Sequence, residues 1–374
     1  MNRTICILRS NPVNPDSRVE KESKALEEAG YKVIIFCWDR ESDHSIQKKL
    51  LPNSKIEIYR AGFKASYGEG LKNIIPYLKF QLCMKKWLRQ NQNFYDAVHA
   101  CDFDTANFSI RTVKKLKKLF VFDIFDFICG RPKNFFQKII KKTELNIINR
   151  ADATIICTEE RSKQIVGSIP KKLIVIHNTP PALDYIPINK NNTKSRVNVV
   201  YVGILSDNRL LLEEIEVFKK HPNWHFYVGG FGLHEKEFSD ASSKYENIHF
   251  LGKISYEETL KLESDADIML AIYDPSIENH LFAAPNKYYE ALMLGKPLIM
   301  VKNTGLSNNI EKYDIGVLID YSALSFEEGI EIMLEREEEW EAMSQTMKHI
   351  YNESYNWDIM KQRLANMYSS LFEY

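Results

Sequence analysis

Short apolar runs alternate with amphipathic stretches along the whole chain. TICILRS (4–10), KVIIFCW (32–38) and KIEIYR (55–60) are brief and rich in β-branched residues, so they read as strands. Between the first two, Ser17 and Glu20 form a capping-box pattern. A helical period then runs from about Arg18 to Ala29, with Gly30 as its stop. The same alternation predicts helices near 72–90, 105–118 and 133–149. Strands fall at DAVHAC, LFVFDIFD, ATIICT and KLIVIHN, with a short helix at ERSKQIVG.

The stretch TPPALDYIPINKNNTKSR (179–196) has no periodicity and many Pro and Asn residues, and it breaks the pattern as a linker does. The alternation then restarts. VNVVYVG, WHFYVGG, IHFLG, DIMLAIY and PLIMV are the strands. Helices are predicted at 209–220, 234–244, 256–264, 286–294, after Ser307, at 324–335 and 337–350, and at the C-terminal end. This gives an α/β chain of two Rossmann-like domains with doubly wound parallel sheets, residues 1–180 and 197–354, joined by a linker at 181–196. The crevice between such domains is the expected ligand site.

Length and composition agree with this. The chain has 374 residues, 44% of them hydrophobic, which suits two globular domains and excludes disorder. No apolar run approaches the roughly 20 residues of a membrane-spanning helix. The first residues turn polar too quickly for a secretory signal, so the cytoplasm is the expected location. None of the six cysteines forms a C-x-x-C pair, and several lie inside strand-like runs, so buried thiols are expected. His221 and His225 have Pro222 and Asn223 between them, which makes a loop or helix start rather than a metal-binding face.

The formal net charge is zero, yet residues 1–180 hold 32 of the 50 Lys and Arg and only 19 of the 50 Asp and Glu. That leaves 18 against 31 in the remainder. The basic surplus concentrates in 71–90 and 131–150, where Lys and Arg mix with Ile, Leu, Phe and Trp. Such segments either pack on their own sheet or lie against an anionic membrane. No nucleic-acid module accompanies the charge.

The first strand is followed by no G-x-G-x-x-G, and YVGGFG lacks the third glycine, so dinucleotide chemistry is not indicated. Attention falls instead on APNKYYEALMLGKPLI (284–299). A Pro-Asn turn opens a helix bearing Lys287 and Glu290, and Gly295 ends it. A helix start offers unpaired N–H groups and a positive field to an anion, and Lys287 adds a charge beside them.

Taken in order, DSRVEKESKALEEAGYKVIIFCWDR, YDAVHACDFDT, RADATIICTEE, KLIVIHNTP, VVYVGILSDNR and this last segment resemble GT-B-fold glycosyltransferases. The chain is similar to family 4, the retaining group that uses nucleotide-sugar donors. The resemblance implies two domains facing a central cleft, the first on the acceptor side and the second binding the donor. The helix at 355–374 would pack back on the first domain. It also implies that Asn286, Lys287 and the helix amides meet the diphosphate while Glu290 accepts from the ribose hydroxyls. Gly203 and Arg209 would open the donor domain, and the backbone at Lys253 and Ile254 would read the base. His99, Asp102, Asp126 and Arg18 are the acceptor-side candidates.

Three family positions differ. Phe282 replaces a Glu that contacts the sugar, Ile204 replaces an Arg, and Cys101 replaces a His. Asp102 and Asp104 form the D-x-D pattern of metal-dependent transferases of another fold, but the resemblance implies neither metal nor cofactor. The expected partners are a nucleotide sugar, a lipid-linked or glycan acceptor and an anionic membrane at its cytoplasmic face, as in bacterial surface polysaccharide assembly. A nucleotide-sugar epimerase of the same fold and a non-catalytic scaffold subunit remain open alternatives.

Overall fold

Every central strand of both sheets is a near-continuous apolar run, as sheets covered by helices on both faces require. In the computed structural model, which describes residues 3–66, 70–128, 134–182 and 196–373, the chain divides into two compact units. One comprises residues 1–177 and 358–374, the other 178–357. Most of the expected linker, 183–195, lies outside the described residues, as do Cys129 and residues 131–133 of the second basic segment.

The first unit contains strands β1 (Thr4–Arg9), β2 (Lys32–Asp39), β3 (Gln47–Leu50), β4 (Glu57–Gly62), β5 (Ala97–Cys101), β6 (Leu119–Ile124), β7 (Ala153–Ile156) and β8 (Leu173–Val175). They form one sheet in the order β3-β4-β2-β1-β5-β6-β7-β8. It is parallel except for β3, an exposed antiparallel edge strand that the polar QKKL does not announce. Ile5, Cys6, Ile7 and Leu8 of the central β1 are all buried. Each apolar side chain so buried contributes about 1.5–3 kcal/mol. Helices α1 (Ser17–Glu28), α2 (Ile74–Gln90), α3 (Asp102–Lys115) and α4 (Phe135–Arg150) cover the sheet, with α2 and α4 each packed on α3.

Helix α1 starts differently from its sequence pattern. Asp16, not Ser17, is the cap: its carboxylate accepts from the Val19 N–H, and its own N–H donates to Glu20 at 3.0 Å. The reciprocal pattern exists, but one residue earlier. ERSKQIVG forms only the 3₁₀ turn Glu159–Lys163.

The second unit runs β9 (Val197–Leu205), α5 (Leu211–Phe218), β10 (Trp224–Gly232), α6 (Glu235–Lys244), β11 (Ile248–Gly252), α7 (Tyr256–Asp265), β12 (Ile268–Ala271), α8 (Asn286–Leu294), β13 (Leu298–Val301), α9 (Asn308–Tyr313), β14 (Gly316–Ile319), α10 (Ala323–Glu335) and α11 (Trp340–Ile350). Its six strands are parallel, in the order β11-β10-β9-β12-β13-β14. The sequence pattern gave no sign of β14. Two glycines are dictated by space. A Cβ on Gly230 would lie 1.9 Å from the Gly203 carbonyl oxygen, so no larger residue fits there. Gly295 ends α8 at φ +69°, and a Cβ there would strike the Ser344 hydroxyl of α11 at 2.2 Å.

The last helix, α12 (Trp357–Phe372), belongs to the first unit. Its Met360 sulfur accepts from the His177 N–H, and Arg363 donates to the Val175 carbonyl. Tyr368 reaches the centre of that unit, 2.9 Å from His99 Nδ1. His99 Nε2 lies 3.2 Å from Asp123, and Asp123 takes two contacts from Arg18, at 3.0 and 3.3 Å. Burial alone would raise the Asp123 pKa, but Arg18 and His99 outweigh it and hold the carboxyl ionised. Glu22 is pushed the other way, by burial and by Asp123, against the pull of Arg18, whose Nε lies 3.1 Å from its carboxyl.

Removing one partner of a buried pair leaves the other charge stranded, at a cost of about 3–5 kcal/mol. Asp123→Ala is therefore expected to lower stability by about that amount in chemical denaturation; a loss under about 1 kcal/mol would show the pair to be dispensable. A second test concerns Glu144 of α4, whose buried oxygens lack a well-formed hydrogen bond. Burial pushes its pKa from 4.5 to about 8, against a smaller lowering from the Ile128 amide. The folded state thus holds this proton more tightly than the unfolded chain does. The contribution of this group to stability should be full below about 4.5 and be lost, by roughly 3–5 kcal/mol, as pH rises through about 8. Denaturation midpoints across that range should lose this slope in Glu144→Gln, and an unchanged slope would refute the assignment.

Candidate functional site

Helix α8 is buried almost all round, so its two charged residues lie inside the second unit rather than on a solvated face. Pro285 takes the cap position, with Asn286 as the first helical residue, and no side chain caps the first amides. Asn286 is exposed and accepts from Asn178 at 2.9 Å. Lys287 is only 9% exposed. Its ammonium sits 4.5 Å from the centre of the Tyr201 ring and against Gly203, where an added Cβ would be 2.8 Å away. Among the described residues it meets no ion-pair or hydrogen-bond partner. Burial by itself would lower the Lys287 pKa, but Tyr273, Tyr201, Glu290 and Glu263 outweigh it and keep the ammonium charged.

Glu290, one turn further along, is buried and accepts from the Tyr256 hydroxyl. Two further carboxyls lie in this electrostatic neighbourhood, and sequence reasoning found neither. Glu263 of α7 is buried, and burial together with Glu290 raises its pKa well above normal. Glu214 of α5 is fully buried with both oxygens unpartnered, and burial raises its pKa well above normal despite the pull of Lys287.

Arg209 ends the 3₁₀ turn Asp207–Arg209 instead of starting α5. Its guanidinium stacks 4.0 Å from the Tyr273 ring centre and approaches His280 Nε2 at 3.2 Å. His280 Nδ1 lies 2.8 Å from the Asp274 carbonyl, which fixes the ring with Nε2 as acceptor. Tyr201 and Tyr273 therefore link Arg209 and Lys287, since both phenols bear on the Lys287 ammonium and Arg209 stacks on Tyr273. Lys253 and Ile254 form a separate group after β11. Lys253 lies over the exposed Phe231 ring at 5.4 Å, and Ile254 packs on Gly229. Arg209, Lys253 and Lys287 follow the carboxyl ends of β9, β11 and β12, the side where open α/β sheets bind ligands.

In the first unit the four acceptor-side candidates separate. His99 and Arg18 are buried in the ion cluster on Asp123, with Arg18 also donating to the Ile176 carbonyl at 3.0 Å. They hold one another, and the reading of His99 and Arg18 as acceptor-side candidates gives way to a core role. His99, Cys101 and Asp123 place donor atoms within 4.8 Å of one another, a geometry a metal could use. Both His99 nitrogens are already engaged, and burial and Asp123 raise the Cys101 thiol far above its usual pKa, so the group is built as core.

Asp102, at φ +65°, bonds Arg9 through one oxygen and the Phe125 N–H through the other, at 2.9 Å. Burial raises its pKa to about 6, Arg9 opposes that rise, and Asp104 adds to it. Asp102 thus anchors the Phe125–Asp126 turn. Asp126 points outward, with a side chain 71% exposed, and is held by the buried Arg161 at 2.9 Å. It is the candidate of the four that solvent reaches freely.

Residues 186–350 match the family model of glycosyl transferases group 1. In structure the chain is similar to sucrose-phosphate synthase from Thermosynechococcus elongatus, with TM-score 0.73, 14% identity and 99% of each chain covered. It is similar also to Anabaena HepE in complex with UDP, with TM-score 0.72, 15% identity, and 98% of this chain and 100% of that one covered. A lipopolysaccharide outer core galactosyltransferase, WaaB, aligns with TM-score 0.64 and 14% identity over 98% and 99% of the two chains. No curated protein matches the sequence at a significant level. The chain has the GT-B fold and carries a glycosyl transferases group 1 domain over residues 186–350, and it is a glycosyltransferase.

Proposed function

We propose that the chain moves a sugar, with retention at its anomeric carbon, from a nucleoside diphosphate to a lipid-linked or glycan acceptor in bacterial surface polysaccharide assembly. The observation that carries the donor side is Lys287: an ammonium almost wholly buried, held charged, and making no ion pair among the described residues beside the uncapped start of α8. A diphosphate would supply the missing charge and take the free amides. Arg209 adds the second cation. Glu290 would accept from the ribose hydroxyls, and the backbone at Lys253–Ile254 would meet the base. The similar Anabaena protein has been solved with UDP and with UDP-glucose, which favours a uridine nucleotide here. The likeness to a lipopolysaccharide galactosyltransferase favours a surface glycan as acceptor.

In the reaction, the acceptor oxygen bonds to the anomeric carbon as the bond from that carbon to the phosphate oxygen breaks. The hydroxyl proton passes to the leaving phosphate on the same face. Charge developing on that phosphate is met by Lys287, Arg209 and the helix amides, so the reading assigns no metal or other cofactor. Asp126 would orient the acceptor, with Asp102 fixing the turn that carries it.

Thermal-shift titration with UDP, GDP, dTDP and CDP tests the donor site. At about 100 times its dissociation constant one of them should add about 2.7 kcal/mol of stability. Lys287→Ala and Glu290→Ala should each remove most of that gain. Stabilisation by none of the four at millimolar concentration would overturn the reading. Conversion of a bound nucleotide sugar without acceptor would point instead to an epimerase.

A further inference from the structure

Helices that cover a sheet turn their apolar residues inward, and α2 does so with Phe80, Met84, Trp87 and Leu88. Its opposite face is unusual. Ile74, Ile75, Leu78 and Leu82 all point to solvent, with Ile75 and Leu82 each 63% exposed. At about 100° per residue these four fall within one outward arc of roughly 100°, with Arg89 among them and Lys79 and Lys86 along its edge. Helix α4 repeats the arrangement. Phe135, Phe136 and Ile139 lie outward, Phe136 being 76% exposed, beside Lys138 and Lys142. The sequence left two readings of these segments open, and packing on their own sheet does not account for these residues.

The charge on the two helices is of one sign. Helix α2 carries Lys79, Lys85, Lys86 and Arg89 and no carboxylate. Helix α4 carries Lys138, Lys141, Lys142 and Arg150, and its Glu144 is buried. Because both helices pack on α3, the two outward faces belong to one side of the unit.

We propose that this side of the first unit docks on an anionic lipid bilayer, with lysines among the headgroups and Leu82 and Phe136 wedged at the acyl boundary. Nucleic acid would satisfy the lysines but offers nothing to the interleaved Ile, Leu and Phe side chains. A bilayer interface offers both. The inference concerns a surface that the donor site does not use, and it gives a lipid-linked acceptor a place to be met.

Flotation of the full chain with vesicles decides it. Phosphatidylcholine mixed with phosphatidylglycerol should carry the protein at low salt, and phosphatidylcholine alone should not. The pair Leu82→Ser with Phe136→Ser should weaken partitioning by about tenfold or more even at low salt. The pair Lys86→Gln with Lys142→Gln should weaken it by about tenfold or more, with a shallower salt dependence. All variants should keep the wild-type melting temperature and nucleotide stabilisation. Failure to float on anionic vesicles, flotation unaffected by the serine pair, or retention of duplex RNA in place of vesicles would each overturn the proposal. If vesicles bind while no nucleotide does, the donor reading falls and this one stands.

Discussion

A guanidinium and a carboxylate buried together hold the first unit in one arrangement. Arg18 comes from α1, Asp123 from β6, His99 from β5 and Tyr368 from α12, so one ion pair gathers four elements distant in sequence. Taking both charges out of water is costly, and the gain in attraction offsets that cost only when the geometry is satisfied. Here the Ile176 carbonyl, Glu22 and the imidazole share the remaining valences. A slipped strand or a displaced helix would strand a charge, at a cost of about 3–5 kcal/mol.

The second unit uses charge in the opposite way. Lys287 is buried to a similar degree, yet no carboxylate closes an ion pair on it, and burial raises the pKa of two nearby glutamates, Glu214 and Glu263, well above normal. Glu290 and Glu263 favour the ammonium from a distance, while the Tyr201 ring and Gly203 lie against it. A buried charge with no ion pair closed on it is preorganised to receive an anion, because little has to move when one arrives. Glycine at 203 gives the ammonium its place, as any side chain there would meet it.

Much of this was legible in the residue pattern. The two alternating series, the limits of α8 between Pro285 and Gly295, and the presence of Lys287 and Glu290 on that helix followed from local periodicity and turn chemistry. Exposed or terminal elements did not. Strand β3 is too polar to show an apolar alternation, and β14 is four residues long and follows an Asp in the left-handed region. The cap of α1 moved to Asp16 because Arg9 and Asn11 orient that carboxylate, contacts that the four-residue capping pattern does not contain. For the same reason Tyr201, Tyr273, His280 and Glu214 escaped notice: their roles arise from strands and loops far apart in sequence. Burial separated His99 and Arg18 from Asp126, a distinction that residue type alone cannot make.

The course of the chain through the two units bears on how the protein is made. Residues 1–177 leave the ribosome first, but their core stays open on the side where Tyr368 and Met360 belong. The second unit is contiguous and can close as soon as it is synthesised. The first must wait, with His99, Arg18 and Asp123 imperfectly screened, until residues beyond 357 emerge. The earlier-made unit is thus the later to mature, and during translation it is the part most in need of protection from aggregation.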